Sequence, residues 1–349
     1  MLSLKSFIGE YIKFRTNRIV PRLFLFPITS RCNSRCVMCN IWRQKETSEL
    51  TLKQIRKMLD DPVFKSVEQV VISGGEPTLR DDISSIINLL VENCPSLRYI
   101  SMCTNGLVPE RVIKAWYALN EVRKRSNVNF SFSVSLDGLN EVHGKVRGVP
   151  DAFERTVETI NALIKLKQKS DFGLYAHCVI TNANVYGLFE LKRWCYQKNL
   201  AFSFELAHEW KRFLNKDSTF HLNKEQKMAF LHALWNQVKF SGTEYYWMCY
   251  RMLRCGKKRH LTCPFVISAF SVHPDGAVYY CPSAESIGNI LKDNLSNIYY
   301  SKANLEYRNQ VKKNKCPTCT QSFGYYIETE NILHHMQYRI IKRIMSLTR

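Results

Sequence analysis

The sequence predicts an α/β protein: a parallel sheet curved into a partial barrel, followed by a small cysteine-rich domain. Three observations lead there. Between residues 22 and 206, short apolar runs alternate in order with longer helical patterns. Past residue 245 the strand and helix signals shorten, and cysteines and basic residues become dense. Within that later region Asp275-Gly276 separates two β-prone runs, a hairpin signal.

The expected strands are 23–28, 69–72, 99–104, 129–136, 172–180 and 201–206. The expected helices are 51–60, 82–93, 109–119, 151–169, 185–198 and 223–239. Strand–helix units in unbroken order imply parallel pairing through right-handed crossovers. A complete eight-unit barrel needs about 250 residues, so a curved sheet or partial barrel fits better. The chain then divides into an N-terminal amphipathic segment (1–21), the barrel (22–245), a cysteine-rich domain (246–325) and a basic C-terminal helix (326–349). In the first of these, Leu4, Phe7, Ile8, Tyr11 and Ile12 share a helical face broken by Lys5, Glu10 and Lys13. In the last, Leu333, Met336, Ile340 and Ile344 line one side, with Arg339, Lys342 and Arg343 around them.

No apolar run approaches the roughly 18 residues of a membrane span. The charged N-terminus does not read as a secretory signal, so a cytoplasmic location is expected. Net charge is +20, from 50 Lys plus Arg against 30 Asp plus Glu. That excess favours an anionic partner: nucleic acid, a membrane surface, a phosphorylated metabolite or an acidic peptide. A solvated basic surface accounts for it equally well. No recognised nucleic-acid module is present, so nucleic acid is not expected.

An odd total of 13 cysteines argues against a disulfide framework. Cys94, Cys103, Cys178 and Cys195 are isolated and read as small buried hydrophobes. Cys32, Cys36 and Cys39 fall in CNSRCVMCN, a C-x3-C-x2-C loop directly after the first expected strand. Loops after strands are where parallel α/β folds collect their chemistry. Three thiolates can hold three irons of a cubane cluster and leave the fourth open. Structural zinc prefers four ligands and would need one from elsewhere.

Further motifs follow in order. The second strand ends in ISGGEP, with Gly74, Gly75 and Glu76; alone, this is an ordinary turn. The third ends in CTNG, with Thr104, Asn105 and Gly106. The fourth ends in SVSLDG, with Ser133, Ser135 and Asp137, and HGKVRG (143–148) comes next. Asn-Gly and Asp-Gly also favour plain turns. Arg147 is a surface-loop arginine on the bland reading, and His143 is more often structural.

Together, in this order, the cysteine loop, GGEP, TNG and the Asp-Gly strand end resemble the radical S-adenosylmethionine superfamily. The resemblance covers roughly residues 22–206 and implies a partial (β/α)6 barrel. It implies Cys32, Cys36 and Cys39 as ligands of a [4Fe–4S] cluster whose open iron chelates S-adenosylmethionine. Reduction then yields a 5′-deoxyadenosyl radical. It further implies Gly74, Gly75, Glu76, Asn105, Ser135, Asp137 and Arg147 at that cofactor, with Asn182 a weaker candidate. Met38 stands where the family often has an aromatic, and Gly144 where it often has Asp.

Downstream, Cys263 and Cys281 frame the hairpin as C-x12-G-x4-C, and Cys316 and Cys319 form a C-x2-C pair. Four such thiolates suit one tetrahedral zinc as well as one cluster. This region resembles the family's twitch or SPASM extension. No cysteine follows Cys319, which fits the shorter form with one auxiliary [4Fe–4S] cluster used for electron transfer. Cys255 could replace one of the pair, and Cys249 is unassigned.

The expected activity is C–H activation of a polar or anionic small molecule or glycan. The alternatives are maturation of a ribosomal peptide and, in another class, a non-catalytic zinc or iron–sulfur module. About 22 residues precede the first strand, which leaves no room for a leader-peptide domain. A flavodoxin or ferredoxin would supply electrons. The basic amphipathic ends would suit a membrane surface or lipid headgroup. Tyr279, Tyr280 and Arg251 are merely close in sequence to the second cysteine group, and no general base is evident.

Overall fold

The computed structural model describes residues 20–44, 48–216, 218–241, 243–314, 316, 318–321, 326–327 and 338–340. The amphipathic segment expected over 1–21 lies outside the described residues except at its last two. The helix expected over 326–349 lies outside them except at 326–327 and 338–340. No described helix is long and apolar enough to cross a membrane. Residues 21–221 and 269–301 form one compact unit; residues 222–268 and the described residues from 302 onward belong to a second.

In the first unit, β1 (Leu23–Thr29), β2 (Gln69–Gly74), β3 (Tyr99–Thr104), β4 (Asn129–Ser135), β5 (Gly173–Ile180) and β6 (Ala201–Leu206) follow one another. Each pairs in parallel with the next. Helices α1 (Leu52–Leu59), α2 (Ile83–Asn93), α3 (Pro109–Arg125), α5 (Ala152–Lys167) and α6 (Leu188–Gln197) make the crossovers, with a short α4 (Glu141–Arg147) after β4. Thr51 begins α1 with a capping box: its side chain accepts from Gln54 N, and Gln54 reaches back to the Thr51 N–H. The expected strands and crossover helices are all present. α3 runs six residues past the expected 119, because its basic tail continues as good helix former.

The strands alternate. On β3, β4 and β5 the residues Ile100, Met102, Phe132, Val134, Ala176 and Ile180 are completely buried. Their neighbours Cys103, Ser133, Ser135 and His177 sit on the opposite face and stay half-buried. One face therefore makes the core and the other, lined by small polar groups, is free to receive a ligand.

The sheet is open and larger than six strands. The hairpin expected around Gly276 forms from β8 (Ala269–Val272) and β9 (Ala277–Tyr279), and β10 (Gly288–Asn289) adds to it. β8 lies parallel beside β1, so the sheet runs β10-β9-β8-β1-β2-β3-β4-β5-β6. Aromatic packing fixes this junction. Phe24 pairs in register with Phe270, their rings 4.9 Å apart and nearly parallel, and Phe64 packs edge-on against Phe24 at 5.2 Å.

In the second unit, α7 (Lys224–Ser241) and α8 (Glu244–Cys255) precede β7 (Leu261–Thr262), which pairs antiparallel with β11 (Tyr326–Ile327). The texture change read after 245 had concealed α8. Its positions Tyr245, Tyr246, Met248 and Cys249 are buried, so it is a packed helix. Tyr245 donates to the Thr320 carbonyl at 2.7 Å, and Arg259 donates to the Cys319 and Gln321 carbonyls, each at 2.9 Å.

The close approach of β1 and β2 at their C-terminal ends depends on glycine. A Cβ on Gly75 would stand 2.2 Å from the Arg31 carbonyl oxygen, a backbone atom that cannot swing away. Gly75→Ala is therefore expected to cost about 2 kcal/mol or more of stability, read as a lowered urea midpoint at unchanged slope. A midpoint equal to wild type would show that this backbone contact yields.

Candidate functional site

The cysteine loop leaves β1 at its C-terminal end and is pinned by backbone on two sides. From the β2 side, Gly75 N donates to the Thr29 carbonyl and Glu76 N to the Arg31 carbonyl, both at 2.8 Å. From the α4 side, Arg35 N donates to the Arg147 carbonyl at 2.8 Å and Val37 N to the Val146 carbonyl at 3.0 Å. Gly148 ends α4 with φ 64°, where its missing Cβ leaves room for the Arg35 carbonyl. No helix is expected from sequence over HGKVRG, where the mid-segment glycine (Gly144) weakens a helix signal.

Within the loop, Cys36 and Met38 are buried with Val146, Ala207 and Phe220, and Cys39 packs against that cluster. Burial, with the Cys36 thiol adding to it, pushes the Cys32 and Cys39 thiols up to about 12. Burial also raises Cys36, while the Arg147 charge pulls it down; the Arg147 Nη1 donates to Cys36 Sγ at 3.6 Å. Cys36 is thus buried and Cys32 and Cys39 partly so, and the charges of Arg147 and Arg212 reach the set. Such a set ionises readily only with a metal to share the charge. Among the described residues no three His, Cys, Asp or Glu side chains gather closely enough to share one ion. A cubane asks for less closeness, because each thiolate takes a different iron. The loop fits such a cluster in ligand number and softness.

The other sequence-predicted residues surround this loop, and several have partners that spacing could not reveal. The Glu76 carboxylate accepts from Thr78 N, the Thr78 and Thr104 hydroxyls and Asn105 N, at 2.7–3.2 Å. Burial pushes its pKa up and these donors oppose the rise. Glu76 therefore ties the ends of β2 and β3 together. Asn105 turns its Nδ2 onto Asn33 Oδ1 at 2.7 Å and Ser34 Oγ at 3.1 Å, so it orients the loop between Cys32 and Cys36. Asp137 is fully buried, pairs with Arg147 at 2.6 Å and accepts from Val179 N at 2.8 Å. Its own N–H donates to His143 Nδ1 at 3.0 Å. Ser135 sits on the half-buried inner face in register with His177. Asn182 donates from its Nδ2 to the Thr219 carbonyl at 2.7 Å, and its N–H bonds to Phe220.

Sequence reading missed two groups. His177 on β5 meets Ser203 Oγ at 2.9 Å and Glu205 at 3.5 Å on β6. Burial lowers its pKa, but Glu205 outweighs it and holds it above the usual histidine value. The inward alternation of strands 5 and 6 was the available signal. The second group lines a cavity of about 410 Å³ whose walls include Ser30, Arg212, His273 and Tyr279. Its signal was the Lys-Arg pair soon after strand 6. The turn carrying Arg212 is bonded to the cysteine loop: Asn40 N donates to the Phe213 carbonyl and Asn215 Nδ2 to the Met38 carbonyl, both at 2.7 Å.

The downstream cysteines divide between the units. Cys281 follows β9 in the first, with Sγ 3.2 Å from Ser283 Oγ. Cys263, Cys316 and Cys319 belong to the second, where Cys263 begins the short α9 (Pro264–Ile267) directly after β7. Cys249 is buried and donates to the Thr320 carbonyl, whereas Cys255 is exposed at the end of α8.

Comparison with known proteins gives this arrangement a context. Residues 26–186 match the model of the radical SAM superfamily, and residues 263–321 match that of an iron–sulfur cluster-binding domain, SPASM. An AdoMet-dependent heme synthase of Methanosarcina barkeri is 33% identical over 173 residues, 47% of this chain and 44% of that protein. A GTP 3′,8-cyclase of Pasteurella multocida is 29% identical over 166 residues, 42% and 47% respectively. The chain thus spans about half the length of the curated relatives it matches. Among solved structures, anSMEcpe with bound AdoMet aligns over 94% of both chains, with a TM-score of 0.60 and 17% identity. Streptococcus suis SuiB bound to precursor peptide SuiA aligns over 90% of this chain and 79% of its own, with a TM-score of 0.64 and 13% identity. These two show a shared fold.

The buried His143 yields a pH prediction. Burial, then the Arg147 charge, lowers its pKa to about 4 against an unfolded value of 6.5. The unfolded chain therefore binds the proton first as pH falls. Stability is whole above pH 6.5 and declines between 6.5 and 4, by up to about 3 kcal/mol. In His143→Gln that part of the decline should vanish from urea midpoints measured across the window. An unchanged slope would show that His143 does not titrate there.

Proposed function

Because the chain belongs to the radical SAM superfamily and carries a SPASM-type iron–sulfur domain, we propose that it activates a C–H bond of a polar small molecule or glycan. The observation that carries this reading is the pinned, partly buried loop presenting Cys32, Cys36 and Cys39 beside the polar inner face of the sheet. Cys32, Cys36 and Cys39 would hold a [4Fe–4S] cluster there, which would supply the one electron that splits S-adenosylmethionine into methionine and a 5′-deoxyadenosyl radical.

The chain's own residues bind, orient and exclude water. Arg147 stabilises ionised Cys36 while Asp137 fixes the direction of the guanidinium. Glu76 and Asn105 set the backbone at the ends of β2 and β3 against the loop, leaving the Gly74-Gly75 backbone to approach the cofactor. Met38, Val146, Ala207 and Phe220 pack around Cys36 and keep water from that side of the loop. Ser135, Asp137 and Arg147 serve the ribose and carboxylate of the same cofactor. His177, with Glu205 behind it, is the inner-face group fitted to take or give a proton.

We assign Cys263, Cys281, Cys316 and Cys319 to one auxiliary [4Fe–4S] cluster that passes an electron, a reading supported by the SPASM match across all four. A flavodoxin or ferredoxin class donor supplies the reductant. The cavity of about 410 Å³ falls in the small-ligand range and favours a compact substrate. A second reading, maturation of a ribosomal peptide, draws on the same SPASM match; a single peptide side chain would also fill that volume.

Anaerobically reconstituted wild type is expected to release 5′-deoxyadenosine on reduction. Cys32→Ala, Cys36→Ala and Cys39→Ala should each abolish the release and remove about four irons per chain. Release at the wild-type rate from any of them would sink the assignment. The Cys263→Ala/Cys281→Ala pair should lose a separate set of about four irons, read with zinc by elemental analysis. Undiminished iron, or zinc in its place, would remove the auxiliary cluster.

A further inference from the structure

The cavity beside the cysteine loop holds two polar groups that the protein leaves unsatisfied. Arg212 is half-buried and has no carboxylate partner among the described residues; only the Phe213 ring lies by its guanidinium, at 5.9 Å. Its charge reaches the Cys39 and Cys103 thiols and the Tyr279 hydroxyl. His273 is 9% exposed, and its buried Nε2 has no hydrogen-bond partner. The His273 ring stacks on Tyr279 at 4.1 Å, so both face the cavity from the β8–β9 hairpin.

The acidic groups on the wall do not answer this need. Glu285 is taken by Lys211, and Asp275 Oδ1 accepts from Ala277 N to close the hairpin turn. An uncommitted guanidinium and an unpaired buried imidazole each cost free energy unless a ligand completes them. Burial and the Arg212 charge lower the His273 pKa, so the ring is neutral and offers one N–H. Arg212 stays protonated, since burial lowers it only to about 10. A cation flanked by a neutral N–H donor and a phenol hydroxyl suits a planar or tetrahedral oxyanion.

We infer that this cavity binds a carboxylate or phosphate group of the substrate, held by Arg212 and His273. Calling the ligand the substrate rests on the proposed radical chemistry; the oxyanion site itself does not. Because the Lys211–Phe213 turn is bonded to Met38 and Asn40, the anion is anchored to the same loop that carries the cluster thiols. The site therefore sets which part of the substrate faces the inner wall of the sheet.

The test titrates inorganic phosphate and, separately, acetate onto the anaerobically reconstituted full chain by calorimetry, with S-adenosylmethionine affinity measured alongside. Saturable binding of one anion to wild type is expected, and the better binder tells phosphate from carboxylate. Arg212→Gln should weaken it about tenfold or more, and Arg212→Lys should restore most of the loss. S-adenosylmethionine affinity should stay within about twofold. His273→Phe, which keeps ring volume but removes the N–H, should weaken the anion severalfold and stands in if Arg212→Gln fails to load iron. No saturable binding of either anion, equal binding in the variants, or loss of S-adenosylmethionine affinity in Arg212→Gln would overturn the inference. A wild type that binds the anion yet never releases 5′-deoxyadenosine would refute the radical chemistry and leave the anion site standing.

Discussion

The structure turns on how the backbone from Thr29 to Asn40 is held. It is held through main-chain groups and an amide side chain reaching a main-chain carbonyl, while Asn105 adds side-chain bonds to Asn33 and Ser34. Gly75 and Glu76 grip one flank, Val146 and Arg147 the other, and Asn215 the far end. Each such bond contributes roughly 0.5–1.5 kcal/mol net, but leaving one unmade in a dry pocket costs more. Main-chain restraints leave side-chain identity free, which explains how Met38 can occupy a position where related sequences often carry an aromatic. What the loop cannot vary is the space for its carbonyls. A Cβ at Gly75 or Gly148 would meet the Arg31 or Arg35 oxygen at 2.2 or 2.4 Å.

Charge is distributed around this loop by commitment. Arg147 is spent twice, on Asp137 and on Cys36, and Asp137 is further bound by Val179 N. A buried pair of this kind contributes little net stability but fixes geometry, since either charge left alone would be expensive. His143 stays neutral under Arg147 and accepts the Asp137 N–H, which seats the pair from below. By contrast, the contacts found on the Arg212 and His273 side chains are with rings, Phe213 and Tyr279, and both residues line a cavity. Orientation comes from the satisfied groups; capacity to bind comes from the unsatisfied ones.

Much of this was legible in the sequence, and the rest was not, for physical reasons. Strands betray themselves by apolar runs and helices by their period, so the order of β1 to β6 could be read directly. The cysteine loop declared its ligand number through its spacing. Partner choice is different: it is set by which strand ends the crossovers bring together. Glu76 reads as part of a turn or as a cofactor residue, and its bonds from Thr104 and Asn105, 28 and 29 residues on, could not be seen in the spacing. Arg147, which reads as a surface-loop arginine or a cofactor residue, is buried and paired with Asp137. Helix α4 was hidden by Gly144, whose lack of a side chain lets the helix pack near the Pro150 carbonyl, at 2.8 Å from where a Cβ would sit. The parallel pairing of β8 with β1 was invisible, because it depends on Phe24 meeting Phe270 across some 245 residues of chain.

The net charge of +20 then takes on a more definite meaning. Most of it sits on exposed lysines and arginines, whose fields are screened beyond about 8 Å at physiological salt. Such a surface raises the encounter rate of any anion but cannot choose among them. Choice needs a charge taken partly out of water, where its interactions strengthen as the local dielectric falls. Arg212 meets that condition: half-buried, beside a neutral imidazole, on a turn bonded to the cysteine loop. The same physics that makes an unpaired buried cation costly in the free protein makes it selective in the complex. The stability forgone there in the free protein is recovered only when a correctly shaped anion arrives.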